Sequence, residues 1–226
     1  MTLSDAFGAP LTPPSPPAVL AQEWRYEMRR EAQEIIPGLY LGPFQSSVNL
    51  AMMNSLKITH VLCIRDRKEA SLIFPRFPTE FRYMTLDISD NTDQNIISIF
   101  PACRDFIEEA INSNGVVLAH CNGGIATAPA IVIGYLMWKF SWNFDRALSY
   151  VQSKRYCVSP MSFTVQLKEY EPIYIAEKMM ALSGTTNSSR DKRQYQDSDD
   201  EEEIMRKLPS RRDESTLTNP DDIDMS

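Results

Sequence analysis

Histidine is nearly absent from this 226-residue chain, cysteine is sparse, and no apolar run approaches membrane-spanning length. With only His60 and His120, and with Cys63, Cys103, Cys121 and Cys157 forming no C-x-x-C pair, the usual ligand spacing of a zinc site is missing. Neither a metal nor another cofactor is expected. The longest strongly apolar stretch, "AIVIGYLMW", is far short of the roughly 20 residues that a helix needs to cross a bilayer, so no membrane span is expected. Basic excess is lacking too. A formal net charge of −7 argues against a general nucleic-acid binder. Unpaired cysteines and no recognisable signal peptide suggest a reducing compartment, cytoplasmic and/or nuclear.

What the chain does have is enough apolar material for a core: 43% of its residues are hydrophobic and 10% aromatic. Its two ends differ from its middle. Residues 1–22 contain "APLTPPSPPAV", a proline density that excludes helix and sheet interiors and reads as a disordered leader. Residues 183–226 read as a disordered tail with acidic and basic blocks. From Thr185 onward twelve acidic residues face seven basic ones, so the tail carries most of the net charge and too little apolar surface to fold alone. One domain is expected between them, over residues 23–182, in a chain expected to be a monomer.

Within that domain "WRYEMRREAQE" (24–34) reads as a charged segment of helical tendency. "GLYLG" (38–42), "ITHVLCIR" (58–65), "FRYMTLDI" (81–88) and "VVLAH" (116–120) read as strands, the second and fourth apolar enough to be buried on both faces. "NIISIFPACRDFIEEAINSNG" (95–115) shows helical periodicity and ends at Asn114-Gly115. "ATAPAIVIGYLMWKF" reads as a helix whose Pro129 falls in the first turn. "NFDRALSYVQSKRY" and "SFTVQLKEYEPIYIAEKMMA" add two more helices. Strands alternating with helices, followed by helices alone, give an α/β layer structure.

The strand at 116–120 leads into "CNGGIAT" and then into a helix. Such a loop offers several backbone N–H groups and the positive end of a helix dipole, a combination that binds anions. Gly123 and Gly124 let the backbone curl so that these amides converge. The same field favours the thiolate of Cys121.

On these residues the chain resembles a family. "HCNGGIATA" aligns without gaps to the protein tyrosine phosphatase signature H-C-x-x-G-x-x-R-[S/T] through His120, Cys121 and Gly124. "EIIPGLYLGPF", "ITHVLCIR", "FRYMTLDISDN" and "NIISIFPACRDFIEEAI" are similar to a dual-specificity phosphatase domain. "EWRYEMRREAQEIIPGLYLGPF", "SKRYCVSP" and "QLKEYEPIYIAEKMM" are similar to its pseudophosphatase branch, the STYX (serine/threonine/tyrosine-interacting protein) family. The resemblance implies a phosphatase fold, a central mixed sheet flanked by helices. It also implies Cys121 at the nucleophile position and Asp90 at the general-acid position. His120 would support the loop and lower the thiol pKa, and Asn122, Gly123, Gly124, Ile125 and Ala126 would supply loop amides.

The resemblance breaks at two positions. The signature arginine is Thr127, and the hydroxyl residue that follows it is Ala128. Arginine grips two phosphate oxygens through a planar fork, and Thr127 is too short and uncharged to do so. The expected function is therefore a catalytically inactive pseudophosphatase. It would act as a scaffold or competitor in phosphorylation signalling, with signalling proteins, phosphorylated proteins or protein kinases as partners. Two alternatives stand beside it: a weak phosphatase using Cys121 and Asp90, and a redox-responsive thiol protein.

Overall fold

The computed structural model describes residues 26–186, apart from 90 and 92. The sequence readings that fall on 1–22, on Asp90 and on the chain beyond 186 lie outside the described residues. The apolar runs become strands of one sheet: β1 (Gln33–Ile36), β2 (Leu39–Pro43), β3 (His60–Arg65), β4 (Arg82–Asp87) and β5 (Val117–Cys121). Their order is β1-β2-β5-β3-β4; β1 pairs antiparallel with β2 and the other neighbours are parallel, so the sheet is mixed.

The apolar reading of 58–65 and 116–120 is explained by position. β5 lies between β2 and β3 and is buried at all five residues, and β3 is buried from Val61 to Ile64. β4, at an edge, alternates between partly buried and exposed residues. The helices are α1 (Phe44–Ser47), α2 (Leu50–Ser55), α3 (Phe100–Asn112), α4 (Thr127–Phe140), α5 (Phe144–Lys154) and α6 (Met161–Thr186). α4 is buried continuously from Ala128 to Met137, because the sheet and other helices surround it; this is why it lacks an amphipathic pattern. In α6 the buried residues Phe163, Leu167, Tyr170 and Tyr174 fall three or four apart, one helical stripe against the core. Pro172 sits on the opposite, exposed side, where water can satisfy the backbone carbonyl that it frees.

Two local expectations change. The charged segment 24–34 is not one helix: Tyr26–Arg30 forms a short 3-10 turn, and Gln33 and Glu34 already belong to β1. The helix expected from 95 begins as a 3-10 turn at Ile97–Ile99 before α3 proper, and Asn114 takes a positive φ at its end. One compact unit runs to Gly184, and α6 ends two residues further on.

Candidate active site

Cys121 is the last residue of β5, and the five residues Asn122 to Ala126 carry the chain to the N-terminus of α4. The thiol lies at the carboxyl end of a central parallel strand, where open α/β sheets place their ligands. The loop's shape is set by where its carbonyls go. Asn122 O accepts from Phe44 N (2.9 Å) and Ile125 O from Val158 N (2.9 Å). Gly123 O accepts from Arg155 Nη2 (3.0 Å) and Gly124 O from Arg155 Nε (2.8 Å). In a trans peptide, the C=O of one residue and the N–H of the next point opposite ways. Four consecutive carbonyls drawn outward therefore turn the amides of Gly123, Gly124, Ile125 and Ala126 inward, as an anion cradle requires. Gly124 has a φ of +64°, and a Cβ there would come within 2.4 Å of Gly42 O, so only glycine closes this curl.

Arg155 is the residue that sequence reasoning missed. It is 1% exposed, and all five of its N–H groups are used. Besides the two loop carbonyls, they bond Glu31 O (2.8 Å), Arg29 O (3.1 Å) and Gln33 Oε1. No carboxylate is among these acceptors. Burial pushes its pKa down to about 10, while Cys121 and Cys157 pull it back upward. Arg155 therefore holds the loop from behind and has no donor left for a phosphate. It does not replace the arginine missing at 127. Its one sequence signal is its place in the matched stretch "SKRYCVSP"; beside Lys154 it reads like any surface charge.

The thiol side of the loop is a pocket of about 450 Å³ lined by Cys121, Asn122 to Thr127 except Gly124, and by Ile88, Asp66 and Glu69. Among the described residues its two charged lining groups are both acidic. Asp66 is held ionised first by a hydrogen bond from Lys68 N (2.8 Å). Glu69 Oε2 accepts from Asp66 N, and its Oε1 accepts from Asn122 Nδ2 at 2.5 Å, tying the loop to the turn after β3. Thr127 lines the pocket where the clamp of the signature would stand, and Ala128 beside it is fully buried. Arg65 is occupied elsewhere, by Asp87 (2.9 Å) and by the carbonyls of Ala70 and Ile73. The remaining thiols are inert core groups: burial raises Cys63 and Cys157 to about 11 and Cys103 to about 12.

His120 is 1% exposed, and its Nδ1 has no described hydrogen-bond partner. Burial lowers its pKa to about 4, against a smaller upward pull from a hydrogen bond to the Cys121 backbone. At neutral pH it is uncharged, so it orders the strand end but lends the thiol no positive charge. This has a consequence for stability. Below about pH 6.5 the unfolded chain takes up a proton on this histidine that the folded chain refuses until about pH 4. The contribution of His120 to stability is fully present above pH 6.5 and is lost through this window, by roughly 3 kcal/mol at the limit. Urea unfolding at pH 7.5 and pH 5 is expected to show a steeper loss in the wild-type chain than in His120→Asn.

The sheet order, the cradle and the cysteine at the end of β5 define the class: a cysteine-dependent phosphatase fold of the dual-specificity type. The family model for the dual specificity phosphatase catalytic domain matches residues 39–173, and the chain belongs to that family. Within it, the chain belongs with the serine/threonine/tyrosine-interacting proteins. It is 43% identical to the mouse protein of that name over 196 residues, 80% of this chain and 87% of the relative. The crystal structure of the human tyrosine phosphatase-like serine/threonine/tyrosine-interacting protein superposes with a TM-score of 0.63 at 45% identity, covering 65% of this chain and 99% of that one. DUSP15, at 23% identity and a TM-score of 0.59, shares the fold.

Proposed function

We propose that the chain is a catalytically inactive pseudophosphatase that acts in phosphorylation signalling by binding proteins, as a scaffold or competitor. The observation that carries this reading is the lining of the Cys121 pocket. Thr127 stands at the clamp position, and the charged groups present are the carboxylates of Asp66 and Glu69. Among the described lining residues, a phosphate dianion entering beside an ionised thiol would meet that thiol and two carboxylates, with no cation to offset them. Removing one preorganised donor from such a site costs about 10²–10³ in rate, and here two donors and a full charge are missing. The names of the relatives, which describe interacting proteins, support the binding role. Signalling proteins, phosphorylated proteins or protein kinases in the cytoplasm and/or nucleus are the partners this reading proposes. Turnover of para-nitrophenyl phosphate by the purified chain is the test. Rates indistinguishable from Cys121→Ser are expected, and Cys121-dependent turnover at the level of active phosphatases would overturn the reading.

A further inference from the structure

The cradle loop has a second face with the opposite electrostatic character. Behind it lies a pocket of about 490 Å³ lined by Arg29, Arg30, Pro43, Gln45, Asn122, Gly123 and Ile125. Among the described residues none in that lining is acidic. Glu27 and Glu31 lie on the same segment, yet neither Arg29 nor Arg30 forms a described ion pair; Arg29 stacks over the Tyr26 ring at 4.3 Å. Both arginines are exposed. The segment that bears them is fastened by Arg155 through the carbonyls of Arg29 and Glu31. The guanidinium that shapes the loop thus also fixes the backbone beneath the two exposed ones.

We propose that this rear pocket docks a phosphorylated side chain of a protein partner. The inference rests on the interaction reading above and supplies its site. Two exposed arginines and the Gln45 amide line one pocket, a donor set that suits a phosphate monoester, whose non-bridging oxygens accept paired N–H bonds. A lone carboxylate would engage one fork. Val158, exposed and bonded through its backbone N–H to Ile125 O of the lining, offers apolar surface near the loop for the flanking residues of a peptide. The relatives' printed names, which describe interacting proteins, favour a protein as the bearer of the phosphate. Cys121 does not line this pocket, so a phosphate held here is bound without being attacked.

Fluorescence polarisation of the full chain tests this with fluorescein-labelled peptides carrying one phosphotyrosine or one phosphoserine between leucines. The controls are the unphosphorylated peptides and vesicles of phosphatidylcholine and phosphatidylserine. Phosphate-dependent peptide binding is expected, weakened at least tenfold by Arg29→Glu/Arg30→Glu and falling with added salt. Arg29→Gln/Arg30→Gln gives the same readout without reversed charge, and circular dichroism checks that each variant is folded. Binding that is unmoved by both double variants but lost in Cys121→Ser would place the phosphate in the thiol pocket and overturn the proposal. Equal binding of the unphosphorylated peptides, or binding of the vesicles alone, would overturn it as well. Inorganic phosphate assayed in the same samples separates the two readings. Its Cys121-dependent release would refute inactivity, whereas absent peptide binding without release would refute only the rear pocket.

Discussion

Thr127→Arg combined with Ala128→Ser is expected to raise aryl phosphate turnover by a factor of about 10² or more over the wild-type chain. The cradle needs no repair. Four outward carbonyls already turn four amides inward, and Cys121 sits at the strand end they surround. Thr127 lines the pocket, so an arginine there starts in the right place to fork two phosphate oxygens. A serine at 128 restores a hydroxyl donor next to the clamp. Asp66 and Glu69 should hold the double variant below active phosphatases, because they oppose the incoming dianion from the facing wall. Adding Glu69→Gln is therefore expected to raise its turnover further while keeping an amide against Asn122. A folded double variant with no gain in rate would show that the disabling change lies elsewhere.

Arg155→Met is expected to destabilise the chain by about 3 kcal/mol or more, as five acceptors lose their donor together. Each buried acceptor left unpaired costs about 1–3 kcal/mol, less for those that water reaches. For a chain of this size that corresponds to a fall of roughly 10 °C in Tm, readable by calorimetry. Arg155→Lys should not rescue it, since an ammonium has three donors from one point and cannot fan across acceptors on the loop, the 3-10 turn and β1. A change of only a degree or two in both variants would mean that the loop is held by its other bonds.

What was legible in the sequence and what was not follows from the range of the interactions. The strands, the cradle and the buried helix could be read because their signals are local: continuous apolar runs, a glycine pair, a proline in the first turn. The missing clamp was legible for the same reason, as two positions in one short motif. Arg155 was not. Its burial depends on carbonyls more than 30 residues back along the chain, and nothing in "SKRY" separates a buried guanidinium from a solvated one. Glu69 was equally hidden, since it meets Asn122 across 53 residues. β1 is not legible as a strand, and its Gln33 and Glu34 fall in the charged segment 24–34, because only Ile35 and Ile36 of its four residues are buried, too few to show a period of two. The second, acidic wall of the pocket thus came from topology, and it strengthens a conclusion that the motif alone had pointed to.

The central claim is that Cys121 cannot accept a phosphoryl group in this pocket, and trapping the adduct tests it most directly. The wild-type chain would be mixed with excess phosphotyrosine peptide, quenched in acid within milliseconds to minutes, and its intact mass measured. No species heavier by one phosphoryl group is expected in the wild-type chain, while the Thr127→Arg/Ala128→Ser variant should accumulate one at Cys121. A stoichiometric phosphocysteine in the wild-type chain would contradict the claim.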